Sequence, residues 1–146
     1  MNIRFIIAML AAKISKFLLK LIGKNATYLP GLIALKLDKN FLCGLQKPET
    51  LICVTGTNGK TTTSNMITDI LRDNGYSVTN NGFGSNVQAG VATALLADAT
   101  LTGKPKNKVA VIEVDERSSI LVYKYITPDY LVATNMKASG GSIAIV

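Results

Sequence analysis

The chain has 146 residues, of which 48% are hydrophobic, and this is enough for one domain with a core. It contains no histidine, and its two cysteines, Cys43 and Cys53, form no C-x-x-C pair. Zinc and haem sites therefore lack their usual ligands, and the thiols are expected to be reduced in a cytosolic protein. Of the net charge of +7, five units lie in residues 1–24, which contain no acidic residue. This concentration at one end argues against nucleic acid as a partner.

Residues 1–24 are predicted to form an amphipathic basic helix. Six apolar residues recur at alternating steps of four and three and form one stripe along the helix: Ile3, Ile7, Leu10, Ile14, Phe17 and Leu21. Beside that stripe, within an arc of roughly 80° at ~100° per residue, lie Lys13, Lys16, Lys20 and Lys24.

Three interpretations of this helix are open. The helix packs on the chain's own domain or on a missing one, it lies on an anionic membrane surface, or it is a signal peptide. Lys13 and Lys16 interrupt the apolar run too early for a signal peptide, and the lysines also leave it too short for a membrane-spanning helix.

Residues 25–48 are predicted to be a connector between this helix and the main domain. Pro30-Gly31 is a turn signal, and residues 32–37 form a short apolar stretch of one or two helical turns. Pro48 ends the connector just before the first predicted strand.

A glycine-containing stretch follows, and residues 51–63 have the sequence Leu-Ile-Cys-Val-Thr-Gly-Thr-Asn-Gly-Lys-Thr-Thr-Thr. Residues 51–54 are predicted to be a buried strand, and a helical pattern begins at Lys60. A phosphate-binding loop (P-loop) consists of a strand, a glycine loop, a Lys-Thr pair and a helix, in this order. Its backbone N–H groups and the N-terminus of the helix attract anions. The general P-loop spacing G-x-x-x-x-G-K-[ST] requires a glycine at position 54, where this chain has Val54. Residues 55–62, Thr-Gly-Thr-Asn-Gly-Lys-Thr-Thr, instead form a shorter and more specific motif.

The candidate nucleotide-binding residues of this loop are Gly56, Thr57, Asn58, Gly59, Lys60, Thr61 and Thr62. Lys60 is the candidate catalytic residue, because its ammonium group would reach the outer phosphates and stabilise the charge that develops there. The hydroxyl of Thr61 is a candidate Mg²⁺ ligand. Glu113 is the second candidate metal ligand, because it follows the apolar residues 109–112 and would lie across from the loop in a Walker-B-like arrangement.

The remaining pattern alternates helices and strands. Asp73-Asn74-Gly75 predicts the C-terminal cap of the helix that begins at Lys60, and Ser85 is a plausible N-cap for a helix that includes residues 87–96. Further strands are predicted at residues 76–79, 109–112 and 130–134, and a short helix at 117–125. This alternation predicts an α/β fold with a mostly parallel, doubly wound sheet and a ligand site at the C-terminal ends of its strands.

The string Thr-Gly-Thr-Asn-Gly-Lys-Thr-Thr at residues 55–62 resembles the Mur ligase superfamily. This superfamily comprises the ATP-dependent ligases of peptidoglycan precursors, together with folylpolyglutamate synthase and cyanophycin synthetase. Residues 113–119 (Glu-Val-Asp-Glu-Arg-Ser-Ser) and 128–135 (Pro-Asp-Tyr-Leu-Val-Ala-Thr-Asn) are similar to its central domain. The resemblance implies that residues 49–135 are part of a Mur-ligase-like ATP-binding central domain whose cofactors are ATP and Mg²⁺.

A narrower resemblance rests on the order of the segments. A basic amphipathic helix leads through Leu29-Pro30-Gly31 directly into the P-loop strand, without the usual N-terminal UDP-binding domain, and Gly84-Ser85-Asn86 and Gly90 follow the second strand. This arrangement is similar to the family of MurT subunits of lipid II isoglutaminyl synthase. The resemblance implies a GatD-type glutaminase as partner and a cytoplasmic location at the inner face of the membrane. It also implies amidation of the D-glutamate of lipid II through an acyl-phosphate.

Alternative hypotheses are an amino-acid-adding Mur ligase, a folylpolyglutamate synthase-like ligase, or an inactive nucleotide-binding fragment. Residues 136–146 depart from the family pattern and are interpreted as a divergent tail. The rest of the family's central domain and its closing C-terminal domain do not follow in this sequence. We therefore expect a fragment or a truncated product that is inactive in amidation by itself.

Overall fold

Six helices and four strands, with their connecting loops, make up residues 2–82 and 84–135, which are the residues that the computed structural model describes. The helices are α1 (Ile3–Leu21), α2 (Leu29–Leu37), α3 (Phe41–Gly44), α4 (Lys60–Asp73), α5 (Gln88–Asp98) and α6 (Glu116–Tyr123). The strands are β1 (Thr50–Thr55), β2 (Val78–Asn80), β3 (Val109–Glu113) and β4 (Tyr130–Ala133). The predicted tail at residues 136–146 lies outside the described residues.

The four strands form one parallel sheet in the order β2-β3-β1-β4. Cys53 of β1 pairs with Ile112 of β3 on one side and with Leu131 of β4 on the other. Parallel neighbours cannot be joined by a tight turn, so α4, α5 and α6 carry the chain from each strand to the next. The predicted α/β fold with a parallel sheet is confirmed, although the second strand is found at Val78–Asn80 rather than at residues 76–79.

Helices cover both faces of this sheet. Successive side chains of a strand point to opposite faces, so Leu51 and Cys53 enter the core beneath α1, α2 and α5, whereas Ile52 and Val54 lie on the side of α4. All five residues of β3 are buried, including Glu113 at its end. Burial on both faces explains why these strands are nearly continuous apolar runs in the sequence.

The ends of α4 follow the sequence prediction, and the start of α5 does not. Gly59, with φ of 80°, precedes α4, and Asn74 and Gly75 end it. The residue before α5 is Val87, which makes no side-chain cap, so the prediction that Ser85 is the N-cap is wrong. Ser85 lies two residues before that position, and its carbonyl oxygen lies against Gly90, so close that a Cβ on Gly90 would collide with it.

α1 packs on the domain, but not through the stripe that the sequence indicated. Its buried residues are Phe5, Ala8, Met9 and Ala12, on the other side of the helix. The stripe residues remain exposed: Ile3 70%, Ile7 53%, Leu10 41%, Ile14 57%, Phe17 62% and Leu21 66%. The helix thus packs on the chain's own domain, which is one of the interpretations left open by the sequence, but through the side opposite to the stripe.

Small residues contribute to the packing of α1, α2 and α5. A Cβ on Gly31 of α2 would collide with the carbonyl oxygen of Ala89 in α5, so these two helices approach closely. α1 joins them through the small side chains of Ala8 and Ala12, which are fully buried. Helices packed at short distance select small residues, and a periodicity counted from large apolar residues does not register them.

Lys13 of α1 contacts the C-terminal end of α5. The ammonium group of Lys13 donates to the carbonyl oxygens of Leu96 at 3.0 Å and Ala99 at 2.6 Å. These carbonyls lack partners within the helix, and a cation at a helix C-terminus is favourable. Burial lowers the pKa of Lys13, and the positive charge of Lys106 lowers it further.

Candidate functional site

The loop between β1 and α4 lies at the C-terminal end of β1, where the sequence predicts a ligand site. Two of its residues have positive φ, Gly56 at 134° and Gly59 at 80°, and residues with a side chain rarely adopt these angles. A Cβ on Gly56 would also collide with the hydroxyl oxygen of Thr134 and lie 2.9 Å from the backbone nitrogen of Asn135. Glycine is thus required at residue 56 both by its φ and by the close approach of the chain after β4.

The residues that follow β4 hold this loop in place. The hydroxyl of Thr134 is within hydrogen-bonding distance of the carbonyl oxygens of Thr55, at 3.2 Å, and Asn58, at 2.6 Å. The backbone N–H of Thr57 donates to the carbonyl oxygen of Asn135 at 2.6 Å. The loop therefore depends on a strand that is almost 80 residues away in the sequence.

The predicted catalytic residue, Lys60, is the first residue of α4. Its ammonium group donates to the carbonyl oxygen of Gly56 and, at 3.3 Å, to that of Thr57. The side chain therefore folds back over the loop, where its charge is available to an anion at the start of α4. Of the other predicted residues, Asn58, Thr61 and Thr62 are exposed.

Thr61 and Glu113, the two predicted metal ligands, lie side by side. The hydroxyl of Thr61 donates to Oε2 of Glu113 at 2.8 Å, although 52 residues separate them in the chain. Glu113 is only 4% exposed, and Thr61 covers its carboxylate from the side of α4. The structure thus brings the two residues together, and their role as metal ligands stays a prediction.

Two asparagines from the loop after β2 fix the position of Glu113. The side chain of Asn81 accepts from the backbone N–H of Glu113 at 2.7 Å and donates to its carbonyl oxygen at 2.9 Å. The side chain of Asn86 donates to Oε1 of the Glu113 carboxylate at 3.0 Å. Both oxygens of the carboxylate are therefore satisfied, one by Thr61 and the other by Asn86.

The start of α6 forms the remaining side of the site. Asp115 caps this helix by accepting from the N–H of Arg117 at 3.0 Å, and its own N–H donates to the carbonyl oxygen of Asn86 at 2.8 Å. Glu116 accepts from the hydroxyl of Thr57 at 3.0 Å. Hydrogen bonds thus connect the loop between β1 and α4, the loop after β2 and the start of α6.

This arrangement fits both an anion and a hard cation. Within the described residues no side chain caps the N-terminus of α4, where the backbone N–H groups of a first helical turn and the helix dipole favour an anion, and Lys60 adds a full positive charge beside it. Next to these lie the hydroxyl and the carboxylate of Thr61 and Glu113, which are oxygen donors of the kind that Mg²⁺ prefers. In the described part of the chain, no ion pair involves Glu113, so its buried charge has no basic partner there.

The described residues hold no group of three or more Cys, Asp or Glu side chains arranged for a metal ion. A magnesium ion at Thr61 and Glu113 would complete its coordination with water and phosphate oxygens, as this ion usually does. The donor set therefore suits a metal that arrives with a nucleotide rather than one held by protein ligands alone.

The sequence located the loop, Lys60, Thr61 and Glu113, but it missed the residues that hold them. Asn81 and Asn86 are two such residues, and Thr134 and Asn135 are the others. A signal for the asparagines was present, because polar residues that follow a strand of a parallel sheet gather at the same edge as the P-loop. Nothing in the sequence pattern distinguishes Thr134 from an ordinary residue at the end of a strand.

The fold and this site define a class: a parallel α/β domain with a glycine loop and a Lys-Thr pair opposite a strand-terminal carboxylate. The sequence model described as the Mur ligase middle domain matches residues 54–140. The chain belongs to this family.

Several curated proteins are similar to the chain over most of its length. One is the lipid II isoglutaminyl synthase (glutamine-hydrolyzing) subunit MurT of Staphylococcus aureus (strain COL), which is 41% identical over 125 residues. These residues are 85% of this chain and 28% of the relative. The subunit of the same name from Streptococcus pneumoniae (strain ATCC BAA-255 / R6) is 39% identical over 137 residues, 93% of this chain and 30% of the relative. The chain thus spans less than a third of the length of these relatives.

Proposed function

We propose that the chain is the ATP-binding part of a Mur-type ligase that forms an amide bond in lipid II, with Mg²⁺ as the metal cofactor. The observation that carries the proposal is the contact of 2.8 Å between Thr61 and Glu113 at the start of α4, beside Lys60. The similarity to MurT subunits, which their name assigns to a glutamine-hydrolysing lipid II isoglutaminyl synthase, supports this substrate.

Each residue of the site has a role in this proposal. The loop from Gly56 to Thr62 and the N-terminus of α4 bind the phosphates, and Lys60 stabilises the charge on the group that is transferred. Thr61 and Glu113 bind Mg²⁺, which when present would shield the phosphate charge. The D-glutamate carboxylate of lipid II is activated as an acyl-phosphate, and ammonia then displaces the phosphate. Asn81 and Asn86 position Glu113.

The ammonia source and the location belong to the same proposal. A GatD-type glutaminase supplies ammonia, in agreement with the words "glutamine-hydrolyzing" in the name of the relatives. The protein works in the cytoplasm at the inner face of the membrane, because its substrate is a lipid. Within the described residues, no helix has the length and hydropathy that are needed to cross a membrane.

A chimera tests this function. The present sequence replaces the matched segment of the S. aureus relative, and the purified chimera is mixed with glutaminase, glutamine, ATP, Mg²⁺ and lipid II. We expect amidated lipid II by mass spectrometry. The same chimera with Lys60→Ala is the matched control and should give none.

The outcomes separate the hypotheses. A folded chimera that binds ATP but forms no amidated lipid II would show that the site is an inactive nucleotide-binding one. Ligation of an amino acid to a precursor, or of glutamate to a folate, in place of amidation would identify a different Mur-type reaction.

A further inference from the structure

α1 presents to solvent an apolar surface that the described part of the chain leaves uncovered. We call it the outer stripe, and its members are each 41–70% exposed: Ile3, Ile7, Leu10, Ile14, Phe17, Leu18, Leu21 and Ile22. At 1.5 Å per residue it extends about 28 Å along the helix. A continuous apolar surface of this length differs from the single apolar residues that are common on protein surfaces, and it indicates an interaction site.

The helix cannot turn to bury this stripe against its own domain. The opposite side holds Phe5, Ala8, Met9 and Ala12, which are at most 4% exposed. The ring of Phe5 stacks on Phe41 with 5.1 Å between the ring centroids. The orientation of α1 is therefore fixed by a well-packed contact, and the outer stripe is available to another surface.

Basic residues flank the outer stripe. At about 100° per residue, Arg4 lies on one side of it and Lys20 on the other, and both are exposed. Lys24 follows the helix and is also exposed, and none of the three takes part in an ion pair within residues 2–82 and 84–135. An apolar stripe between cationic flanks is the pattern of a helix that lies in the surface of an anionic membrane. Long basic side chains there reach the head groups while the apolar side chains enter the lipid.

We propose that the outer stripe of α1 docks on the surface of an anionic lipid membrane, with Arg4, Lys20 and Lys24 at the level of the head groups. The contact is interfacial, because α1 is not apolar enough to span a bilayer. α1 lies on the face of the sheet opposite to α4, so this docking leaves α4 turned away from the lipid.

The charge of this segment favours lipid over a second copy of the chain. Residues 1–24 carry five basic residues and no acidic one. Two copies joined through their stripes would bring the exposed Arg4, Lys20 and Lys24 of each copy to the same interface, and these charges repel. An anionic membrane offers both an apolar phase and the opposite charge.

Vesicle binding by the full 146-residue chain tests the proposal. The chain is sedimented with vesicles of phosphatidylcholine alone or mixed with phosphatidylglycerol, at low and high salt and without nucleotide. We expect binding to the anionic vesicles that falls as the salt concentration rises, because screening weakens attraction to charged head groups. Nucleotide is absent from the assay, so failure here leaves the proposed ligase function untouched.

Two pairs of variants separate the apolar contribution to vesicle binding from the electrostatic contribution. Ile14→Ser with Phe17→Ser should weaken binding at least about tenfold, since these side chains enter the lipid. The matched control is Met66→Ser with Ile70→Ser, because both residues are 59% exposed but lie on α4. This control should bind like the unaltered chain.

The second pair removes positive charge. Arg4→Gln with Lys20→Gln should weaken binding to anionic vesicles roughly 10- to 30-fold, at about fivefold per basic residue. The control Lys39→Gln with Lys104→Gln removes two exposed lysines from elsewhere in the chain and should have little effect. Circular dichroism of all variants verifies that the fold is retained.

Three results would overturn the proposal. One is a lack of binding to anionic vesicles by the folded chain. Another is equal binding by the stripe variant and its α4 control. The third is an oligomer, or a complex with the glutaminase, that the stripe variant disrupts while vesicle binding is unaltered, because the stripe would then be a protein interface.

Discussion

Replacement of Glu113 by glutamine would remove one negative charge from the site and leave its shape almost unchanged. The carboxylate is 4% exposed and accepts hydrogen bonds from Thr61 at 2.8 Å and Asn86 at 3.0 Å. A glutamine can keep both contacts, because its oxygen can accept from Asn86 and its NH₂ group can donate to the hydroxyl oxygen of Thr61. The substitution therefore separates the charge of residue 113 from its packing.

In the absence of metal, we expect a small effect on stability. Hydrogen bonds to a charged group contribute about 1.5–3 kcal/mol and neutral ones about 0.5–1.5 kcal/mol, so the two contacts together lose roughly 2–3 kcal/mol. Removal of a buried negative charge that has no basic partner among residues 2–82 and 84–135 offsets this loss, because burial of such a charge costs several kcal/mol. These effects oppose each other, and the free energy of unfolding should change by no more than about 1 kcal/mol.

With Mg²⁺ and nucleotide, the same substitution should have a large effect. Two unit charges 4 Å apart attract by about 4 kcal/mol at an effective dielectric constant of 20. Water that replaces the carboxylate at the metal recovers part of this energy. A remaining loss of roughly 1.4–2.8 kcal/mol corresponds to a 10- to 100-fold loss of affinity for the magnesium–nucleotide complex.

The assay is titration with a fluorescent ATP analogue, in Mg²⁺ and in EDTA, together with denaturant unfolding. The affinity of the unaltered chain should rise when Mg²⁺ replaces EDTA, and the affinity of the Glu113→Gln variant should not. An equal response to Mg²⁺ in both proteins would refute the metal role of Glu113. A loss of more than about 3 kcal/mol in unfolding free energy would show instead that the carboxylate is structural.

Three further predictions concern the loop, α1 and β4. Lys60→Ala should remove most affinity for ATP while circular dichroism and the thermal midpoint stay unchanged, because among the described residues its ammonium group bonds to loop carbonyls alone; unchanged nucleotide binding would exclude the assigned role. Phe5→Ala should cost about 3–5 kcal/mol in denaturant unfolding, because its ring is 4% exposed and stacked; a loss below about 1 kcal/mol would contradict the packing of α1. The hydrogen bond from Lys47, and then that from the N–H of Leu51, hold the pKa of Asp129 below its ordinary value, so this carboxylate stabilises the fold above the pKa of the unfolded chain. Asp129→Asn should thus lower the thermal midpoint at pH 7, and the difference should shrink as the pH falls below about 4 and vanish below the lowered pKa of the folded state; a difference that is independent of pH would refute this linkage.

The sequence predicted the elements whose signals are local. A strand, two glycines, Lys60 and a helix follow one another within residues 50–73, and each has its own local cause. The pairing of Thr61 with Glu113 was also predictable, because parallel strands end at the same edge of a sheet.

Tertiary packing determined two features that the sequence pattern did not predict: the buried side of α1 and the start of α5. The stripe residues of α1 have the clearest periodicity, yet Phe5, Ala8, Met9 and Ala12 on the opposite side form its contact with the domain. Ser85 has the residue type of a helix cap, but Val87 occupies the cap position of α5. For α1, the residue types were compatible with two packings, and contacts distant in sequence selected one of them.

The position of Glu113 follows from the different lengths of β2 and β3. β2 pairs with β3 only as far as Asn80 and Val111, so the N–H and C=O of Glu113 on that side lack a strand partner. The side chain of Asn81 takes both of these groups, and thereby extends the hydrogen-bond ladder beyond the last paired residue of β2. On the other side of β3, the N–H of Val114 donates to the carbonyl oxygen of Val54 at 2.9 Å. The backbone that carries the carboxylate is therefore held on both sides, by Asn81 and by β1, and this fixes Glu113 beside Thr61 at the N-terminus of α4.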